Sequence, residues 1–257
     1  MAIAASPSTP TPAQATLVTE LATVARLQAE RDANPILAGA LDRLATWQSR
    51  RLRLTYDDLS RQSRYADAMR FFQNDLYGNR DFARRDADLA RIVPVMVRML
   101  PDAVVATIAK AVELHALTQT LDRSLLARLP RADGQFSVGE YTRAYRRMGK
   151  RPERERQIRL IGEIGAQLAE FVQKPLIRAA LRMMRQPARL AGFGALHEFL
   201  DRGFAAFGKM GDATDFLETI DVRERALMEA LFAGEPAPIP DPLEPRFAPR
   251  PGPEAEG

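Results

Sequence analysis

Helix start and stop signals recur along this chain, and no convincing strand pattern lies between them. Thr11, Pro12 and Gln14 combine an N-cap, a proline at the first helical position and a capping-box glutamine. Asn34 and Pro35 repeat this start. The apolar residues that follow each start recur every three or four positions, which is the period of an α-helix. The pattern therefore predicts an all-α fold.

Later signals extend the prediction toward the C-terminus. Ser137 and Glu140 form a second capping box, and its helix is predicted to end at Gly149, which can adopt the left-handed conformation that ends helices. A last helix is predicted from Asp221 to Gly234. Joined by short loops, these segments predict a multi-helix bundle of eight or nine helices.

The ends of the chain differ from its middle in composition. Residues 1–11 are rich in Ser, Thr, Pro and Ala, and residues 234–257 contain eight prolines, so we expect both ends to be disordered tails. Residues 12–233 are then the helical domain, with a possible subdivision at the turn near residues 130–136. A chain of 257 residues, 46% of them hydrophobic, is long enough to bury one sizeable core.

Composition excludes several classes of protein. The absence of cysteine excludes disulfides, thiolate metal sites and cysteine nucleophiles. The N-terminus lacks the basic and apolar regions of a signal peptide, and charges interrupt the most apolar region, residues 92–117, too often for a membrane span. We therefore expect a cytoplasmic protein without membrane insertion. With 37 basic and 33 acidic residues, the net charge of +4 is weak support for nucleic-acid binding.

One polar corner, between residues 75 and 91, resembles a site. Asp75, Asp81, Asp86 and Asp88 carry oxygens that suit Mg²⁺, and neighbouring arginines such as Arg85 suit a phosphate. The simpler interpretation is architectural, because Asp81 lies at a helix N-cap position and pairs with Arg85 one turn later. We expect no metal here.

A second candidate is the basic segment, residues 143–159, which holds eight cationic residues and only two acidic ones. It straddles the junction of two predicted helices, where cations and free N–H groups can converge on an anion or a nucleic acid. The alternative is a solvated helix face whose charges are balanced by acidic neighbours. The predicted anion-binding residues are Arg143, Arg146, Arg147, Lys150, Arg151 and Arg154.

Familiar catalytic patterns are absent from the sequence. There is no Gly-x-Ser-x-Gly elbow, P-loop or His-Glu-x-x-His helix. The residues three before His115 and His197 are Val112 and Gly194, which excludes a diiron site of the Glu-x-x-His type. Two interpretations remain for each histidine, a packing residue or a single haem ligand. We expect no cofactor and no catalytic residues.

Three motifs carry a resemblance to a known family. They are FFxxDLYG from Phe71, RDxDL from Arg85 and PAxxAG from Pro187. Over roughly residues 35–233 the chain resembles an uncharacterised family of bacterial all-helical proteins. The resemblance implies a helical fold and a bacterial origin, and it implies no activity.

These observations favour a binding, interaction or regulatory module without catalysis. Its partner is an unidentified protein, and an anionic ligand is possible. One alternative is an enzyme or sensor that recognises a phosphorylated ligand at the polar corner. Another is a nucleic-acid-binding protein that uses the basic segment.

Overall fold

The computed structural model describes residues 11–73, 102–131, 135–192 and 194–243, which form helices and turns without a strand. The all-α prediction is confirmed, and short helices add to those that the sequence signals predict. In chain order the helices are α1 (Pro12–Asp32), α2 (Pro35–Thr55), α3 (Asp57–Arg61), α4 (Ala66–Phe71), α5 (Asp102–Leu126), α6 (Val138–Met148), α7 (Arg151–Gln173), α8 (Pro175–Met183), α9 (Arg185–Leu190), α10 (Gly194–Met210) and α11 (Thr214–Ala233).

Both predicted capping boxes are present. At the start of α1, the Thr11 hydroxyl accepts from the Gln14 backbone N–H, and the Gln14 side chain accepts from the Thr11 N–H. At the start of α6, the Glu140 N–H donates to Ser137 Oγ at 3.2 Å, and the Ser137 N–H donates to Glu140 Oε2 at 2.8 Å. That backbone hydrogen bond lowers the pKa of Glu140. As predicted, α6 ends at Gly149, whose φ of 65° is left-handed.

The predicted start of the last helix at Asp221 is wrong. Helix α11 begins at Thr214, after Gly211 turns the chain with a φ of 76°. The Asp212 carboxylate accepts a hydrogen bond from the Thr214 N–H at 2.9 Å and so satisfies a free donor of the first turn. Asp221 lies inside the helix and binds Arg225 one turn later at 2.7 Å. An aspartate followed by a glutamate three residues later is typical of a helix start, but Asp221 forms an i,i+4 pair inside the helix instead.

The main core surrounds the one tryptophan of the chain. Trp47 of α2 stacks on Tyr141 of α6, with ring centroids 4.5 Å apart, and Phe136 packs against it at 5.0 Å. Leu125 of α5 and Met228 of α11 belong to the same buried cluster. Helices before and after residues 130–136 therefore share one core.

Two further buried clusters complete the packing. One joins α4, α7, α10 and α11, where the rings of Tyr65 and Phe216 lie 5.3 Å apart. The other packs α1 against α5 through residues such as Leu17 and Val105. No helix in the described ranges is long and apolar enough to cross a membrane.

Packing continues beyond the last helix. Gly234 ends α11 in the left-handed conformation, and a Cβ on it would lie 2.5 Å from Arg146 Nη1. After this turn the chain returns to the main core, where Ile239 is only 4% exposed. Within the segment predicted as a C-terminal tail, residues up to Ile239 thus contribute to the core.

Candidate ligand-binding cavity

A cavity of about 60 Å³ lies among α2, α5, α6, α7 and α11, beside the main core. Both polar and apolar side chains contribute to its wall. The polar residues are Gln48, Arg51, Thr118, Asp122, Tyr141, Tyr145, Arg154, Gln157 and Glu224, and the apolar ones are Ile158, Ile161, Leu227, Met228, Leu231 and Ile239.

Arg154 is the buried cation of this cavity. Its side chain belongs to the first turn of α7, and the residue is 8% exposed. Nη1 donates to Gln157 Oε1 at 2.8 Å, and the guanidinium carbon lies 4.9 Å from the centre of the Tyr145 ring. Within the described part of the chain, Nε and Nη2 have no hydrogen-bond acceptor although both are buried. Unbonded buried donors are rare because each loses its hydration without compensation.

Asp122 faces the same cavity from α5. Gln48 Nε2 donates to its Oδ1 at 3.1 Å. Burial raises the pKa of Asp122, and this effect outweighs the opposing charge of Arg154 and the hydrogen bond from Gln48. The Arg154 charge acts on this carboxyl group, yet no ion pair within 4.0 Å joins the two residues. A guanidinium and a carboxyl group therefore line the same cavity without forming an ion pair.

A second charged pair borders the cavity and is joined directly. Glu224 Oε1 accepts from Tyr56 Oη at 2.7 Å and from Arg51 Nη1 at 3.3 Å. Gln157, which binds Arg154, also donates to Thr118 Oγ1 at 2.7 Å. The wall thus holds two cationic and two acidic side chains and can bind polar groups of either sign.

Burial also changes the acidity of one aromatic residue in the wall. It raises the pKa of Tyr145 to about 12, in spite of the opposing effect of the Arg154 charge. The Tyr145 hydroxyl is therefore protonated at neutral pH, and it is available to donate a hydrogen bond.

The structure does not bring the six predicted anion-binding residues together. Arg154 lies in the cavity, whereas four others are exposed. Arg151 binds Glu229 and lies over the ring of Phe232, with 4.6 Å from guanidinium carbon to ring centre. The exposed four are Arg143, Arg146, Arg147 and Lys150.

Other cations of the basic segment are paired with acidic residues. Lys150 Nζ binds Glu153 Oε1 at 2.8 Å. Arg156 makes a two-pronged contact with Glu113 on α5, at 2.7 and 2.8 Å, and this contact raises the pKa of Arg156. Anion binding by the exposed surface of this segment stays a prediction.

The two histidines make local hydrogen bonds. His115 Nε2 lies 2.9 Å from Gln119 Nε2, and His197 Nε2 donates to the Leu181 carbonyl at 2.8 Å. Across the ranges that the structure describes, no group of three or more His, Cys, Asp or Glu residues is placed to hold a metal ion. The corner residues Asp75, Asp81, Arg85, Asp86 and Asp88 lie outside those ranges.

Sequence reasoning missed most of the cavity, including Asp122, Gln48 and Glu224. These residues come from three helices far apart in the chain, and no motif connects them. One pattern was available, because Thr118 and Asp122 are one turn apart on α5 and lie beside the core positions Leu121 and Leu125. Polar residues on the buried side of an amphipathic helix indicate an internal polar site.

Comparison with known proteins gives a family and no activity. A family model described as a domain of unknown function (DUF8198) matches residues 27–238. No curated protein and no solved structure matches the chain. The matched range contains every helix from α2 to α11 and all but the last residue of the cavity wall, Ile239. The chain therefore belongs to the DUF8198 family.

Proposed function

We propose that this protein is a binding module for a small ligand that carries an oxyanion group, above all a carboxylate. The observation that carries the proposal is Arg154, a buried guanidinium with Nε and Nη2 unbonded to any described residue. These donors belong to one planar fork, and a carboxylate accepts from such a fork with two parallel hydrogen bonds. Because both donors are buried, an oxyanion reaches them after a shift of the Arg154 side chain or its neighbours, and it then removes the cost of leaving them unbonded.

The rest of the cavity suits a ligand with a short apolar part. Ile158, Met228 and Ile239 also line the cavity and offer a surface for carbon atoms. Pockets for small molecules combine such apolar walls with a few placed polar groups. A volume of about 60 Å³ also limits the ligand to a handful of non-hydrogen atoms. This size favours a metabolite over a nucleic acid or a protein segment.

Thermal unfolding with added salts tests the proposal. We expect at least one of acetate, lactate and phosphate to raise the melting temperature above that in chloride at equal ionic strength. A ligand at 100 times its Kd stabilises the folded state by about 2.7 kcal/mol. Arg154→Met should abolish the increase, and the control Arg151→Met should retain it. Equal behaviour of all salts, or an increase that persists in Arg154→Met, would contradict the proposal.

A further inference from the structure

Two charged side chains of the cavity wall have hydrogen-bonding atoms without a partner among the described residues. Arg154 keeps two donors unbonded to any described residue. Asp122 receives one hydrogen bond, from Gln48 to Oδ1, and its Oδ2 receives none within the same part of the chain. Since the two groups line the same cavity and form no direct ion pair, a molecule that fills it meets both a hydrogen-bond donor and an acceptor in the wall.

The charge balance of the wall restricts the net charge of the ligand. Arg51 and Glu224 already neutralise each other through their 3.3 Å contact. Arg154 adds one positive charge, and Asp122 adds one negative charge when it is ionised, a form that burial disfavours and that a neighbouring ammonium group favours. With Asp122 ionised, a ligand with a net negative charge would leave one charge uncompensated in a largely buried space, which is costly. A ligand with one positive and one negative group keeps the balance.

The volume of the cavity restricts the ligand to a short molecule. The cavity of about 60 Å³ holds several water molecules or a ligand of a few non-hydrogen atoms. Water molecules that satisfy both groups are ordered, and ordering them costs entropy. A single molecule with an acceptor group and a donor group replaces them.

We infer that the ligand is a small zwitterion, such as glycine or a close amine-carboxylate analogue, whose carboxylate binds Arg154 and whose ammonium group binds Asp122. This inference rests on the proposed function, because it adds an ammonium subsite to the oxyanion subsite. Gln48 is a positioning residue, since its hydrogen bond to Oδ1 orients the Asp122 carboxyl group.

The test compares three probes that share parts of the zwitterion. Glycine carries both charged groups, acetate only the carboxylate and methylammonium only the cation. Binding is measured by isothermal titration calorimetry and by the fluorescence of Trp47, whose ring stacks on Tyr141 in the cavity wall. In the unmodified protein we expect glycine to bind at least about tenfold more tightly than either partial probe, because it makes charged hydrogen bonds at both ends.

Two variants assign the subsites. Asp122→Asn should weaken glycine binding to about the affinity of acetate. Acetate binding should be unchanged or tighter, because the variant removes a negative charge. Arg154→Met should weaken the binding of both glycine and acetate. Asp58→Asn is the matched control: Asp58 pairs with Arg223 on the surface, so its replacement should change neither affinity. Circular dichroism establishes that each variant is folded.

The outcomes separate this inference from the proposed function. Equal affinities for glycine and acetate in the unmodified protein would overturn the zwitterion and leave the oxyanion site intact. If none of the three probes binds, and phosphate and lactate also fail to bind, both the zwitterion inference and the proposed function would be overturned. The ratio of glycine to acetate affinity needs no variant, so a misfolded Asp122→Asn protein would not prevent the decision.

Discussion

The inner and outer sides of the first two turns of α7 carry the same residue type in opposite environments. On the inner side, Arg154 is buried against the cavity with two donors unbonded to described residues. On the outer side, Arg151 and Arg156 pair with Glu229 and Glu113. Both sides come from the same basic stretch of the sequence. What distinguishes them is the direction of the side chain, and in the described part of this stretch the unbonded buried donors lie on the inner side.

The comparison shows how a run of charges divides on folding. Successive residues on a helix point about 100° apart, so a basic segment at a helix start distributes its cations around the axis. Those that reach solvent meet acidic partners or water, and such pairs contribute little to stability. A cation that faces the interior has a large energetic consequence. The largest mutational effects should therefore come from the cavity side.

The largest expected effect concerns the wall of the cavity. Ile239→Ala should lower the free energy of unfolding by about 2–4 kcal/mol, because it removes a buried side chain that is 4% exposed. Ile36→Ala is the control, since Ile36 is 83% exposed and should change stability by less than about 0.5 kcal/mol. Urea unfolding followed by circular dichroism measures both. Equal small effects would show that the chain beyond Gly234 contributes nothing to the core.

The second effect depends on pH. Burial raises the pKa of Asp122 above the ordinary aspartate value of 3.8, so the folded protein holds this proton more tightly than the unfolded chain. The contribution of Asp122 to stability is therefore full at low pH and is lost as pH rises from 3.8 through the raised value. The Asp122→Asn variant has no carboxyl group at this position, so its stability does not fall for this reason as pH rises.

Urea unfolding of both proteins from about pH 4 to pH 8 measures this dependence. The stability of the unmodified protein relative to Asp122→Asn should fall as pH rises through the window. Subtracting the variant removes the contribution of surface carboxylates whose pKa is lowered, such as Asp58. A stability difference that stays constant, or that increases with pH, would show that burial does not control the pKa of Asp122.

A smaller effect concerns the helix that carries the aromatic wall. Ser137→Ala should cost about 1 kcal/mol because it removes the N-cap of α6, which positions Tyr141 and Tyr145. Ser137→Asp should be nearly neutral, since aspartate also caps helices. Chemical denaturation of the two variants measures the difference, and similar losses would mean that the capping hydrogen bond contributes nothing.

The smallest effect is expected on the outer side of α7. Arg151→Gln should change the free energy of unfolding by less than about 0.5 kcal/mol, because the pair with Glu229 is half exposed. Melting at low and high salt checks this value. A loss comparable to that of Ile239→Ala would erase the contrast between the two sides.

The sequence predicted local structure well and the cavity poorly, for a physical reason. Capping boxes at Thr11 and Ser137 depend on residues three positions apart, so they can be read directly. The start of α11 was misplaced because Asp221 has the spacing of both a cap and an i,i+4 pair. Arg154 was included in the predicted anion site, but its burial depends on helices that are distant in sequence, and so does its separation from Asp122.

A crystal structure of the protein with glycine is the decisive measurement. We predict the carboxylate within about 3 Å of both Nε and Nη2 of Arg154, and the amino nitrogen within about 3 Å of an Asp122 oxygen. Water molecules bonded to all three groups, with no glycine present at saturating concentration, would contradict it.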